Sequence, residues 1–312
     1  MRELAADALP PATSVFFGGG TPSLLEPSML VRVLRAIDVA DGAEVTVECN
    51  PENVSASLLD AYVNGGVTRV SFGVQSMVPS VLASLGREHD VAAVDRALSL
   101  VRDVGFVSWN VDVIYGAAGE SIDEWRRTLD AVLAFEPPHM SAYALTVEHG
   151  TPLARDRARH PDDDDQAEKY AIADDGFAAA GLEWYEVSNW SIAGHECRHN
   201  SLYWSGGAYR GVGCAAHSFD GWARRWWNVR TPERYIAGAP DDLVAGSESL
   251  AADARRREAA TLLLRTRRGV ETCAFENGAL GELSGLVDVV GDRVVLTRAG
   301  RLLANEVALR LR

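Results

Sequence analysis

Apolar and polar positions along this chain switch between two periods. Ser14-Val15-Phe16-Phe17 is a short apolar run that enters Gly18, Gly19, Gly20 and Thr21, the pattern of a buried strand running into a glycine turn. Residues 27–40 follow with Leu30, Val31, Leu34 and Ile37 at helical spacing. The same unit then recurs: a strand over residues 44–49, a helix around Leu58, Leu59 and Tyr62, a strand over 68–74, helical segments at 79–85 and 91–104, a strand over 107–115, a helix over 121–135 and a strand over 139–146. Residues 1–9 have helical spacing with no N-cap before them, so they read as the second half of a helix that Pro10 and Pro11 end.

Strands alternating with helices, joined by connections long enough for crossovers, predict a parallel α/β sheet. A polar or glycine residue stands at the C-terminal end of each strand: Gly18 to Thr21, Glu48, Gln75, Asp112 and Tyr143. That habit favours a barrel or partial barrel, whose C-terminal rim gathers side chains from several strands onto one ligand. Beyond it the chain changes character. Residues 182–187 read as a further strand, and residues 194–217, rich in Gly, His, Tyr and Trp, read as a functional loop. A helix at 254–264, a β-turn-β stretch at 286–296 and a final helix at 297–309 predict a small winged-helix-like α+β module. The expected organisation is therefore a barrel with its His- and aromatic-rich extension over residues 1–235, and the module over 236–312.

Composition narrows the partners. The formal net charge of −14 argues against nucleic acid, whose phosphates need concentrated Lys and Arg. No apolar run approaches the length that spans a bilayer, and the start lacks the charged-then-apolar pattern of a signal peptide, which points to the cytoplasm. Cys49, Cys197, Cys214 and Cys273 have no CxxC or CxxxCxxC spacing, so they encode neither a disulfide framework nor a local metal or cluster site.

The candidate chemistry lies at the strand ends and in the aromatic stretch. The glycine turn is no phosphate-binding P-loop, since no Gly-Lys-Ser/Thr follows; its bare N–H groups and Thr21 suit a carboxylate or an amino-acid backbone. Glu48, Gln75 and Asp112 read singly as caps or surface groups, but together they suit a ligand ammonium or ribose hydroxyls. Arg87 supplies a fork for a carboxylate or pairs with Glu88, and the residues alone leave both readings open. His199-Asn200-Ser201-Leu202-Tyr203-Trp204 packs an imidazole, an amide and two aromatic rings together; histidine ligates iron and aromatic faces stack on flat macrocycles. Completion of a core under a loop is the competing reading for that stretch taken in isolation.

Taken in order, Phe-Phe-Gly-Gly-Gly-Thr-Pro-Ser, Glu-Cys-Asn-Pro, Ser-Phe-Gly-Val-Gln-Ser, Gly-Arg-Glu-His, Asn-Val-Asp-Val-Ile-Tyr-Gly and His-Asn-Ser-Leu-Tyr-Trp resemble the oxygen-independent coproporphyrinogen III oxidase-like radical S-adenosylmethionine (SAM) proteins. The last stretch resembles the HemW-type heme chaperones of that group more than its oxidases. The resemblance covers nearly the whole chain. It implies a partial (β/α)6 barrel that holds SAM and a [4Fe–4S] cluster, with Gly19, Gly20 and Thr21 at the methionyl end of SAM, Glu48 near its amino group, Gln75, Arg87 and Asp112 completing the pocket and Ala144 at its edge. His199 becomes the heme-contacting residue, supported by Asn200, Tyr203 and Trp204. Heme is then cargo for an acceptor protein, with a membrane-associated acceptor and a dimer as the further partners implied. The alternatives are an oxidase of porphyrin biosynthesis and a cluster-less inactive fragment. One departure stands out: the family's Cys-x3-Cys-x2-Cys cluster motif is absent from this sequence. The expectation that follows is a barrel missing its first strand, from a truncated or mis-started sequence or a homologue that has lost the cluster, and no radical chemistry from this chain.

Overall fold

The structure, a computed structural model, describes residues 3–4, 9–276 and 278–312. The half-helix expected over residues 1–9 therefore lies outside the described residues, apart from Glu3, Leu4 and Leu9. The chain divides into two compact units, one made of residues 13–34 and 39–196, the other of residues 197–312, 35–38 and the described part of 1–12.

Among the described residues of the first unit, seven strands form one sheet: β1 (Ala12–Phe17), β2 (Val39–Cys49), β3 (Arg69–Gln75), β4 (Ser108–Tyr115), β5 (His139–Ala144), β6 (Glu183–Glu186) and β7 (Asn189–Ser191), in the order β1-β2-β3-β4-β5-β7-β6. Strands β2 to β5 pair in parallel and curl into a half-barrel; β7 runs antiparallel to both β5 and β6. The crossovers carry α1 (Pro27–Leu34), α2 (Ala56–Gly65), α3 (Pro79–Ser84), α4 (Val91–Val104) and α5 (Ile122–Leu133), and α6 (Asp163–Ala179) precedes β6. Local chemistry sets these ends. Ser55 and Asp90 accept from the backbone N–H groups of Leu58 and Ala93, and Ser121 forms a capping box with Glu124. Gly66 and Gly105 close α2 and α4 in the left-handed conformation that glycine adopts freely.

The helix expected to run to residue 40 stops at Leu34, and β2 begins at Val39. The reason is edge pairing: Ala12 N–H donates to Asp38 C=O at 2.7 Å and draws the segment into extended structure. On each central strand the two faces differ in kind. Val70, Phe72, Val74, Val111, Val113, Met140 and Ala142 pack with Leu59, Tyr62, Leu98 and Trp125 of the helices in one apolar core. Arg69, Ser71, Ser108, Asn110, His139 and Ser141, from the alternate positions, are also buried, so the concave face of the half-barrel is polar.

The second unit contains two three-stranded antiparallel sheets: β8 (His217–Phe219), β9 (Arg224–Asn228) and β10 (Val244–Ser249) in the order β10-β9-β8, then β11 (Val270–Glu271), β12 (Val287–Val290) and β13 (Arg293–Leu296) in the order β11-β13-β12. The pairing of β9 with β10 runs across residue 235, where the pattern of residues alone places a change of module. The stretch expected as a loop over 194–217 contains a seven-residue helix, α7 (Arg198–Trp204), and the expected final helix is split into Arg298–Leu302 and Ala304–Ala308. Helix α8 (Ala252–Leu264), the second small sheet and these last turns share a core around Leu264, Val294, Leu296 and Val307, a winged-helix-like α+β arrangement.

Candidate functional site

A cavity of about 370 Å³ opens at the C-terminal ends of β2 to β5. Of the residues expected from the sequence, Gly20, Thr21, Glu48, Gln75, Arg87 and Asp112 line it. Gly19 is not among the lining residues but is joined to one of them, its N–H donating to Glu48 Oε2 at 3.3 Å. Ala144 is different: it ends β5 opposite Tyr115, exposed, and the lining position on that strand belongs to Tyr143.

Each side chain is held there for an identifiable reason. Gly19 and Gly20 have φ of +80° and +68°, and a Cβ built on either meets nothing within 4 Å, so glycine serves backbone conformation; the Gly19 N–H is engaged by Glu48, and the Gly20 N–H faces the cavity side of the turn without a side chain over it. The turn is tied to the next strand by Asn50 N–H donating to Ser23 Oγ at 3.2 Å. Gln75 is a non-glycine residue at φ +67°, where the β3–β4 register shifts between Gly73 and Gln75. The irregularity swings its amide over Gly73, where an added Cβ would sit 2.9 Å from Gln75 Nε2. Arg87 reaches the cavity from a loop anchored by His89, which lies 3.0 Å from Val74 C=O through Nε2 and 3.5 Å from Glu52 through Nδ1.

Two carboxylates face one cavity, and both are shifted upward. Burial and then the Asp112 charge raise Glu48 above the ordinary carboxylate range, against the Gly19 N–H that favours its ionised form. Burial likewise raises Asp112, opposed by hydrogen bonds from Ser71 and Asn110 and by the Arg69 charge. A cationic ligand relieves this cost by pairing with both. The donor set fits SAM: two carboxylates for an ammonium and a sulfonium, an arginine fork for a carboxylate, and the glycine turn at Gly20 and Thr21 for the methionyl backbone.

The same test fails for a [4Fe–4S] cluster. Cys49 lies in the first unit, and Cys197, Cys214 and Cys273 lie in the second. Among the described residues no three His, Cys, Asp or Glu side chains are grouped to hold a metal ion. Cys49 is buried, and burial followed by the Glu48 charge pushes its thiol up to about 12, far from the thiolate that ligates iron. The residues present do not fit a cluster.

In the second unit, α7 places His199 and Tyr203 one turn apart on one face. Their rings meet edge to face at 4.8 Å, Tyr203 meets Tyr209 edge to face at 4.6 Å, and Tyr209 meets Phe219 at 6.2 Å. Tyr203 keeps 38% of its surface exposed, so this aromatic file has an open edge. Asn200 and Trp204 flank it on the same short helix, each half-buried. Tyr209 and Phe219 were missed by motif spacing because their approach depends on the isolated bridge between them. Ser71, Asn110 and His139 were missed as well, although the alternation Arg69-Ser71-Gly73, Ser108-Asn110-Asp112 and His139-Ser141-Tyr143 is visible along the chain.

Comparison with known proteins adds the family. A family model for the radical SAM superfamily matches residues 1–132. The heme chaperone HemW of Mycobacterium tuberculosis is 44% identical over 324 aligned residues, covering 98% of this chain and 82% of that protein. The heme chaperone HemW of Bacillus subtilis is 30% identical, covering 98% and 87%. Among solved structures, the coproporphyrinogen III oxidase HemN from Escherichia coli, a radical SAM enzyme, superposes with a TM-score of 0.80 at 20% identity over 96% of this chain and 77% of that one, a likeness of fold. The chain therefore belongs to the HemW family of the radical SAM superfamily.

Proposed function

We propose that the chain is a heme chaperone: it takes up heme on the second unit, at His199 with Asn200, Tyr203 and Trp204, and passes it to an acceptor protein, while the cavity of the first unit binds SAM. The observation that carries the heme assignment is the near-full-length similarity to relatives named as heme chaperones. The aromatic file supports it, because an imidazole can ligate the iron while adjoining ring faces and edges cover part of a flat macrocycle.

In the cavity, Glu48 and Asp112 pair with the cationic end of SAM, Arg87 takes a carboxylate or ribose oxygens, and Gly19, Gly20 and Thr21 contact the methionyl backbone, with Gln75 against the ligand and Ala144 at the rim. SAM, when bound, supplies an adenosyl group on a sulfonium centre. The chain's residues orient it and neutralise its charge. Affinity falls as pH drops through the raised values of the two carboxylates, since a protonated carboxyl attracts no cation.

Titration with hemin tests the first half. Binding is expected as a saturable Soret shift that His199→Ala weakens about tenfold or more, and the loaded protein transfers heme to an apo-acceptor. An unchanged spectrum with wild-type protein would sink the heme reading. Calorimetry with SAM tests the second half, and equal affinity for wild type and Glu48→Gln would remove the cavity from it.

A further inference from the structure

Behind the cavity, on the polar concave face of the half-barrel, a chain of buried hydrogen bonds runs from Asp112 across three strands. Asn110 Nδ2 lies 2.8 Å from Asp112 Oδ1, and Ser71 Oγ lies 2.7 Å from Asp112 Oδ2. Asn110 Nδ2 also donates to Ser71 Oγ at 2.7 Å. An ionised carboxylate only accepts, so Asn110 must turn its NH2 toward Asp112 and its Oδ1 toward β5. There two groups approach that oxygen: Ser141 Oγ at 3.2 Å and His139 Nδ1 at 2.6 Å. Ser141 has one proton, and Asn189 Oδ1 at 2.7 Å is the nearer acceptor for it. The donor that orients Asn110 is therefore His139. Its Nδ1 must carry the hydrogen, and the neutral ring then presents Nε2 as an acceptor to Tyr185 O–H at 2.7 Å. His139 is 1% exposed and Asn110 3%, so both are shielded from bulk water.

We propose that His139 is a positioning residue. Through its Nδ1–H it locks the Asn110 amide in the one orientation that donates to Asp112, and so holds the Asp112 carboxylate ionised and aimed into the cavity. Without that lock the amide can rotate its oxygen toward the carboxylate, replacing a donor by a repelling dipole. The charged and titratable groups around the relay come from every neighbouring element: Glu48 on β2, Arg69 on β3, Tyr143 on β5, Glu186 on β6, and the His195 and Arg87 loops. Burial, with the charges of Arg69 and His195, holds His139 well below the ordinary histidine range, in keeping with a neutral ring. Only the ligand arm of the test rests on the reading of the cavity as a SAM site; the relay itself is a statement about Asp112.

The test is nuclear magnetic resonance on the full chain. In wild type, 15N shifts at pH 7 should show the Nδ1–H, Nε2-unprotonated tautomer for His139; the opposite tautomer or a doubly protonated ring overturns the proposal, and this measurement needs no variant to fold. The 13Cγ titration of Asp112, assigned with Asp112→Asn, should move up by about one pH unit or more in His139→Phe. His139→Asn, whose amide nitrogen falls near the Nδ1 position, should return most of that shift. An unchanged Asp112 titration in folded His139→Phe overturns the proposal. The acid limb of SAM binding should move up in parallel. If the Asp112 titration shifts as expected while wild type binds no SAM, the relay stands and the SAM reading fails.

Discussion

At the scale of single residues, conformation and protonation make separable predictions. Gly20 sits at φ +68° with open space where a Cβ would be, so Gly20→Ala meets no clash and pays only the left-handed penalty. A loss of about 1 kcal/mol in urea unfolding is expected, with weaker SAM binding because the turn carries the N–H groups. His139 predicts a pH effect on stability. Its folded value is depressed, so below the ordinary histidine value of about 6.5 the unfolded chain takes a proton that the folded chain refuses. The contribution is fully present above that pH and is lost as pH falls, at up to about 1.4 kcal/mol per pH unit. Glu48, Glu120 and Asp112 have raised values and act with the opposite sign, so the comparison to make is wild type against His139→Asn, which shares all three. The stability difference between the two should fall steadily from pH 7 to pH 5. Of these residues, Gly20, Glu48 and Asp112 could be picked from the chain by their place at strand ends. His139 could not, because its role depends on which of two acceptors Ser141 faces.

At the scale of elements, helix ends were legible and helix lengths less so. The Ser121–Glu124 capping box stands in the sequence three residues apart, and Ser121→Ala should cost about 1 kcal/mol in thermal or denaturant unfolding. The strand periods were legible too, but their meaning was not. Alternating polar residues on β3, β4 and β5 would ordinarily face water; here they face inward and bond to one another. The clamp between the turn after β4 and the start of α6 shows the same limit. Lys169 is fully buried, 3.3 Å from Glu120 Oε2, 2.7 Å from Glu120 C=O and 2.7 Å from Asp165 Oδ2. In the sequence it is one lysine on a charged helix. Lys169→Met leaves the buried Glu120 carboxylate without its cation and should destabilise the protein by about 3–5 kcal/mol, measured by denaturant unfolding.

At the scale of the whole molecule, the four cysteines decide what this chain can be asked to do. They are divided between the two compact units without cluster spacing. After reconstitution with iron and sulfide under reducing conditions, this 312-residue chain should produce no 5′-deoxyadenosine from SAM. Robust production would show that cysteines at these positions assemble a competent cluster after all. The proposed SAM and heme sites draw on other residues, Glu48 and Asp112 in one unit and His199 in the other, so on that proposal both kinds of binding should survive in the same sample. Among the described residues no helix is long and apolar enough to cross a membrane.

The order of periods along the chain, the glycine turn, the strand-end carboxylates and the His199 stretch determined the α/β class, the family and the main candidate residues. These are properties of local spacing, which the chain carries in one dimension. Tertiary structure alone decided that Gln75 adopts a left-handed backbone over Gly73, that Tyr209 and Phe219 extend the file from His199, and that His139 governs Asp112 through Asn110. Each of these depends on distances of a few ångströms between residues far apart in sequence. Register, bulges and the competition for single protons set those distances, and none of them is written in the spacing of residue types.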